Sequence, residues 1–326
     1  MLVLSGAEVE SVLDLGALVD ALAEAMADFS AGRASMPPRI AARVDERDGF
    51  LATMPAYLPS AGALTTKLVS LFPRNTERPT HHALVCCFDP EDGSPIAVMD
   101  GGYLTAARTA AGSVLATRLL ARADASAVTI IGTGVEARSH ALAFGAHAPI
   151  RAITIAGRDL AKVSDLVADL RAHGLDVHAG RSIREAVASA DIVCTTTHAD
   201  RPVVERSWLP PGTHLNSVGY NNAGVGEVDT DTVRDAVVVV ESREAVLAPE
   251  PAGAIELQRA IALGVIDAQH IRAEIGELVA GTATGRTGPG DLTLYRSVGI
   301  AVQDAAAAAL VLAAARGRGL GTEVPI

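Results

Sequence analysis

Aromatic residues are scarce in this chain, and so is cysteine. Phe, Trp and Tyr make up 3% of the 326 residues, with a single Trp. That leaves little material for stacking bases and argues against a single-stranded nucleic-acid platform. Cations are outnumbered: 27 Lys and Arg against 38 Asp and Glu give a formal charge of −11. Such a field does not attract phosphate backbones or anionic membranes, although a local basic pocket for a small anion stays open. The three cysteines, Cys86, Cys87 and Cys194, form no CxxC pair. Neither a disulfide framework nor a zinc site is indicated, and no metal is expected. They read as small buried hydrophobes, with Cys86 and Cys87 facing opposite ways on a strand. No uninterrupted apolar run reaches the ~18 residues of a spanning helix. The first twenty residues carry Glu8, Glu10 and Asp14 and no Lys or Arg, unlike a signal peptide. The chain reads as a soluble cytoplasmic protein.

What is abundant is aliphatic: 49% of the residues are hydrophobic, and the length suggests about two domains, each able to bury a core. Val9, Val12, Leu13, Leu18, Leu22, Met26 and Phe29 recur at helical spacing and predict one helix over 8–31, stopped at Gly32. Segments 50–54, 62–71 and 83–88 are strand-like. Asp92-Gly93 between two apolar runs signals a hairpin. Residues 104–122 predict an Ala- and Leu-rich helix.

From Ala127 the texture changes. Strands at 128–131, 152–156, 177–178, 192–194, 214–218 and 236–240 alternate with helices at 135–145, 160–172 and 182–189. This alternation implies parallel βαβ units. Gly281–Gly290 reads as a flexible segment that separates the βαβ part from an Ala-rich last helix over 299–315. If that helix returns to the first domain, the βαβ domain is an insertion.

Ile131-Gly132-Thr133-Gly134-Val135-Glu136-Ala137 is a G-x-G-x-x-A loop between a strand and a helix. The first Gly permits the tight turn, the second lets the backbone approach a pyrophosphate, and the Ala keeps helix and strand close. The helix N-terminus then offers N–H groups to the anion. Dinucleotide binding is the expectation, with a structural Gly-rich turn as the alternative. The second strand ends in Gly157-Arg158, with Lys162 a turn further on. It lacks the carboxylate that would bond a ribose 2′-OH. Two cations suit a 2′-phosphate, so NADP(H) is favoured over NAD(H). Asp159 is an alternative helix cap, and Arg158 a plain surface charge in the blander reading.

Arg39, Lys67 and Arg108 form a second set. Lys67 lies in an apolar strand-like run and Arg108 among small residues. Cations in such settings need anions, either a substrate carboxylate or an internal salt bridge. Asp229 follows the strand over 214–218 and could move a proton or simply cap a helix.

Several segments occur in order: Lys67-Leu68-Val69-Ser70, Pro79-Thr80-His81-His82-Ala83, Ala97-Val98-Met99-Asp100-Gly101, Thr105 to Ala111, and Ile131 to Ala137. Asn216-Ser217-Val218-Gly219, Glu227-Val228-Asp229 and Ser297 to Asp304 follow. Together they resemble the ornithine cyclodeaminase/mu-crystallin family across nearly the whole chain. The resemblance implies an α/β protein in which a Rossmann doubly wound parallel sheet is inserted in a discontinuous α+β dimerisation and substrate domain. On this sequence the expected limits are 1–115 plus 294–326 for the substrate domain and 116–293 for the dinucleotide-binding domain, in a homodimer. It further implies that Arg39, Lys67 and Arg108 hold a substrate carboxylate, and that Lys67 and Asp229 are catalytic. Thr80, His81, Arg108, Gly132, Thr133, Gly134, Val135, Glu136, Gly157, Arg158, Thr195, Ser217, Val218 and Ser297 match cofactor-contacting positions.

One departure matters. Cyclodeaminases proper carry Glu in a Glu-Leu-Met-Pro segment, and here Ala52-Thr53-Met54-Pro55 stands instead. A methyl group cannot bind an ammonium. Glu136, where Gln is commoner, would be unfavourable beside a pyrophosphate unless it points away. The activity expected is NAD(P)H-dependent reduction of a cyclic imino acid, of the 1-pyrroline-2-carboxylate or 1-piperideine-2-carboxylate type, to an L-amino acid. Reductive amination of a 2-oxo acid, ornithine cyclisation and non-enzymatic ligand binding are the alternatives.

Overall fold

A computed structural model describes residues 1–146, 150–219, 224–249 and 252–325. It divides into two compact units, Met1–Arg108 with Ile300–Ile326, and Thr109–Gly299. The division falls inside the helix Gly101–Leu120, seven residues before the expected limit at 115.

The first unit is built on a seven-stranded mixed sheet. Its order is Thr322–Glu323, Leu2–Leu4, Pro95–Asp100, His81–Phe88, Ala63–Leu71, Gly49–Leu58 and Ile40–Val44. The hairpin predicted at Asp92-Gly93 joins the antiparallel strands 81–88 and 95–100, with Gly93 at φ 77°. Residues alternate in and out along each strand, as pleating requires: Ala52, Met54, Ala56 and Leu58 are buried, while Leu51 and Tyr57 are exposed. The buried face meets the helix Ala301–Arg318, which also packs on the helix Leu15–Ser30. Alanine at 301 and 305–308 leaves no bulk to hold that helix off the sheet. The single helix expected over 8–31 is two, Gly6–Val12 and Leu15–Ser30. Asp14 breaks it by accepting the Ala17 N–H at 2.7 Å as an N-cap, which outweighs the continuous apolar spacing.

The second unit holds an eight-stranded, all-parallel sheet. Its order is Ile271–Glu274, Val237–Val240, Thr293–Arg296, His214–Ser217, Ile192–Thr195, Ala127–Ile131, Ala152–Ala156 and Val177–Ala179. From 127–131 the chain steps outward to 152–156 and 177–179, then returns to place 192–195 on the other side of 127–131. That reversal is the topological switch point, where doubly wound sheets bind ligands beyond the carboxyl ends of their strands.

Two expectations fail here. The stretch Gly281–Gly290 does not separate the parallel sheet from the last helix, because it feeds the buried central strand Thr293–Arg296. Nor is it loosely held. Arg286 donates to the carbonyls of Leu120 (2.7 Å), Asp291 (2.6 Å) and Gly212 (3.0 Å), and Asp291 accepts the Thr287 and Gly288 amides. Glycine and proline there shape a turn that one guanidinium pins. No helix among the described residues is long and apolar enough to cross a membrane.

Candidate functional site

The first unit contains a buried charge cluster. Lys67 points inward from the strand Ala63–Leu71, and Arg108 comes from the helix Gly101–Leu120. Both reach Asp304 on the helix Ala301–Arg318. Lys67 Nζ lies 2.9 Å from Asp304 Oδ1 and 2.8 Å from Oδ2. Arg108 Nε donates to Oδ1 at 3.1 Å, and its Nη1 to Gln303 Oε1 at 3.2 Å. Lys67, Arg108, Gln303 and Asp304 are all at most 5% exposed. Two cations thus share one carboxylate, with the half-buried Arg39 close enough for its charge to act on Lys67. Burial is the largest influence on Lys67 and pulls its pKa down to about 8, with Asp304 opposing and Arg108 and Arg39 assisting. Burial alone would raise the Asp304 pKa, but the charges of Lys67 and Arg108 and the bonds they donate hold it below the usual carboxylate value. His81 faces the same side. Burial first, then the charges of Lys67, Arg108 and His82, bring it down to about 4, so it is neutral near pH 7. Thr80 is half-buried and accepts the Phe72 amide through its carbonyl.

The second unit carries the glycine loop at the switch point. Gly132 has φ +133°, and a Cβ there would lie 2.4 Å from Thr196 Oγ1 and 2.9 Å from the Thr196 carbonyl oxygen, so only glycine fits. Gly134 differs: a Cβ would meet nothing within 4 Å. That bare backbone opens the helix Val135–Ala146, where Val135 is 72% exposed. An accessible amide row at a helix N-terminus is what a pyrophosphate needs, and these residues fit a dinucleotide. Glu136 Oε2 lies 3.8 Å from His140 Nδ1, one turn along the helix. Gly157 packs between Val163 and Thr133, where a Cβ would come within 3.2–3.3 Å of their methyl groups. Asp159 caps the helix Leu160–Ala172 through the Ala161 and Lys162 amides, while Arg158 and Lys162 are exposed.

Thr195, Ser217 and Ser297 lie at or just beyond the carboxyl ends of three central strands, but their hydroxyls are committed to buried carboxylates. Glu227 accepts from Thr195 Oγ1 (2.7 Å), Thr197 N (2.7 Å), Ser217 Oγ (3.2 Å) and Gly219 N (2.8 Å). Glu241 accepts from Ser297 Oγ (2.7 Å) and from the Val298 and Gly299 amides (2.9 Å each). Glu256 pairs with Arg296 Nε at 2.7 Å, and Arg296 also donates to the Ser217, Gly219 and Ser297 carbonyls. Val218 is half-buried and donates its amide to the Thr195 carbonyl. Asp229 is the N-cap of Thr230–Asp235. It accepts the Thr232 amide at 2.9 Å and the Thr232 hydroxyl through Oδ1, and the Arg206 amide at 3.2 Å from each oxygen.

Asp304, Gln303, Glu241, Glu256 and Arg296 have no role that the sequence alone points to. A lone carboxylate in an alanine helix and an arginine within an apolar run were the available signals, since buried charges require partners.

Against known proteins, the model of the "Ornithine cyclodeaminase/mu-crystallin family" matches residues 1–319. Ketimine reductase mu-crystallin of Mus musculus is 36% identical over 314 residues, covering 94% of this chain and 95% of that protein. The solved structure of Thermococcus litoralis Delta(1)-pyrroline-2-carboxylate reductase in complex with NADH and L-proline aligns with a TM-score of 0.93 at 35% identity. It covers 99% of this chain and all of that one. An archaeal alanine dehydrogenase dimer with bound NAD aligns with a TM-score of 0.91 at 31% identity, covering 100% of this chain and 99% of that one. The chain belongs to the ornithine cyclodeaminase/mu-crystallin family.

Proposed function

We propose that this chain is an NAD(P)H-dependent oxidoreductase that reduces the C=N bond of a cyclic imino acid, 1-pyrroline-2-carboxylate or 1-piperideine-2-carboxylate, to the L-amino acid. The observation that carries the reading is the Lys67–Arg108–Asp304 cluster, in which two buried cations face one built-in carboxylate. The remaining positive charge, with Arg39 adding to it, suits the carboxylate of a small acid. Arg108 and Lys67 fix that carboxylate, so the neighbouring carbon is held in one orientation, which lowers the entropic part of the barrier. The nicotinamide, when bound, supplies the hydride. Asp229 carries the proton for the substrate nitrogen, and a protonated imine is the better electrophile. His81, neutral at pH 7, adds no charge beside the clamp. The T. litoralis relative, whose structure holds NADH and L-proline, supports the substrate class.

The exposed Arg158 and Lys162, with Asp159 occupied as a cap, favour NADP(H) over NAD(H). The outer face of the first unit's sheet exposes Leu51, Tyr57 and Leu84 at 50%, 37% and 47%, beside the edge-strand residue Ile40 at 69%. An apolar face of that extent favours a second copy as its cover, giving a homodimer through the first unit, in keeping with the dimer of the archaeal relative. Ala52 is buried on the inner face of its strand and offers no side-chain oxygen, which speaks against ornithine cyclisation. A cytoplasmic location fits a chain that consumes a reduced nicotinamide.

The test mixes purified protein with NADPH or NADH and, in turn, each cyclic imine, pyruvate with ammonia, and ornithine. Loss of reduced-nicotinamide absorbance with a cyclic imine, together with L-proline or L-pipecolate, is expected. Turnover with pyruvate and ammonia alone would transfer the protein to the alanine dehydrogenases. Proline from ornithine without net cofactor change would make it a cyclodeaminase.

A further inference from the structure

Asp304 balances part of the charge of Lys67 and Arg108. Its position gives it more to do. It sits 1% exposed on the first turn of an alanine helix, and its two oxygens take Lys67 Nζ at 2.8–2.9 Å and Arg108 Nε at 3.1 Å. Its neighbour Gln303 is equally buried. Gln303 Oε1 accepts the Ile300 amide at 3.2 Å and Arg108 Nη1 at 3.2 Å. The guanidinium is therefore held at two points by one helix turn, and that turn is fixed by its own cap. Among the described residues, the other charges that act on Lys67 oppose its own: Arg108 from one helix, Arg39 from the segment before the strand Ile40–Val44, and His81 from the neighbouring strand whenever it is protonated. Without Asp304, a buried ammonium beside a guanidinium would release its proton.

We propose that Asp304 is a positioning residue of the substrate site, which keeps Lys67 as an ammonium and, with Gln303, locks the Arg108 guanidinium, so that a carboxylate ligand meets two cations already charged and oriented. The inference rests on the reading that Lys67 and Arg108 bind the substrate carboxylate. It adds where their charge and geometry come from. Such preorganisation removes ordering from the binding step.

The consequence appears in pH dependence. Lys67 loses its charge with a pKa of about 8 in the unaltered protein, so carboxylate affinity falls on the alkaline side of that value. In Asp304→Asn the largest influence holding the proton on Lys67 is gone, and the alkaline limb moves to lower pH by about one unit or more, a tenfold or greater loss of affinity between the two limbs.

Calorimetry of the full-length protein with pyrrole-2-carboxylate, a planar non-reducible probe, reads this directly from pH 6 to 9.5 with NADP+ and NAD+ both in excess. The expected result is an acidward limb in Asp304→Asn with affinity recovering toward pH 6. An unmoved limb overturns the proposal, even if the melting temperature falls, because a purely structural residue changes stability without changing a titration. Failure of the probe to bind the unaltered protein overturns it as well. Should Asp304→Asn not fold, Asp304→Glu serves. It keeps the charge on a longer arm, so the limb stays within about half a unit while affinity falls several-fold. A limb displaced by a full unit, or affinity equal to that of the unaltered protein, counts against the proposal. Probe binding needs no turnover. If 1-pyrroline-2-carboxylate is not reduced yet the limb moves as described, the substrate reading fails and the role of Asp304 stands.

Discussion

Replacing each of the two loop glycines by alanine should give different defects, and the difference follows from the surroundings of each Cα. In Gly132→Ala the new methyl sits 2.4 Å from Thr196 Oγ1 and 2.9 Å from the Thr196 carbonyl, at a backbone φ of +133°. Holding alanine at such a φ costs about 1–3 kcal/mol. Moving Thr196 aside breaks its 3.0 Å bond to the Ile131 carbonyl, worth about 1 kcal/mol. The sum, about 3 kcal/mol, lowers the melting temperature of a domain of this size by about 6–12 °C. In Gly134→Ala the methyl meets nothing within 4 Å, so the apo protein keeps its stability. With a dinucleotide at this loop, as proposed, the methyl would occupy the approach of its pyrophosphate. Thermal melts of both variants, with and without NADP+ at ~100 times its dissociation constant for the unaltered protein, test this. Unaltered protein gains about 2.7 kcal/mol from the ligand. Gly134→Ala should melt with the unaltered apo protein and gain little, while Gly132→Ala should start lower and gain little. A Gly134→Ala protein that retains the full NADP+ shift would refute the placement of the cofactor at this loop.

Four further outcomes are expected. Arg158 is exposed and, among the described residues, its side chain has no hydrogen bond or ion pair, so Arg158→Ala should weaken NADPH binding about tenfold or more through loss of a charge-assisted contact and leave NADH binding unchanged; equal effects on the two cofactors would remove the 2′-phosphate role. Asparagine caps a helix about as well as aspartate, so Asp229→Asn should melt close to the unaltered protein yet lose about a hundredfold or more in kcat, and an unchanged kcat would leave Asp229 as a cap only. Burial holds His140 at about 4 and His214 at about 3, below the unfolded value of 6.5. The unfolded chain therefore binds protons that the folded one refuses; the stability from this source is whole above pH 6.5 and shrinks as pH falls toward 4, about tenfold in the folding constant per unit for each histidine, and His140→Gln should flatten the slope of denaturant midpoints over that range. Leu51→Glu with Leu84→Glu on the exposed sheet face should halve the mass measured by equilibrium sedimentation, against the unchanged mass expected if the dimer forms elsewhere.

Parts of the molecule were legible because their signals are local. The alternation of short apolar strands with helices from Ala127 onward, and the G-x-G-x-x-A loop set between them, need only a window of residues to be read. The helix Leu160–Ala172 and the hairpin at Asp92-Gly93 are of the same kind. Other parts depend on partners far away in the chain. Thr293–Arg296 is a four-residue strand behind a run of glycine and proline, and it is a strand because His214–Ser217 and Val237–Val240 flank it. The Ala-rich helix near the C-terminus was visible, but the meaning of Asp304 within it was not, because its cation Lys67 lies 237 residues earlier. The short helices Arg243–Leu247, Ile255–Ala262 and Ile275–Val279 carry too few turns for a period to emerge. The hydroxyls of Thr195, Ser217 and Ser297 matched cofactor positions by motif, yet their bonds to Glu227 and Glu241 appear only when strand ends from separate parts of the sheet come together.

Isotope labelling reads hydride transfer to the imine carbon atom by atom. Protein is incubated with 1-pyrroline-2-carboxylate and NADPH carrying deuterium at nicotinamide C4, on whichever face the enzyme uses. The L-proline formed is then examined by mass spectrometry and NMR. One deuterium at C2 of L-proline per NADPH consumed is the predicted result. Proline without deuterium at C2, or no proline while pyruvate and ammonia give labelled alanine, would rule out hydride transfer to a cyclic imine.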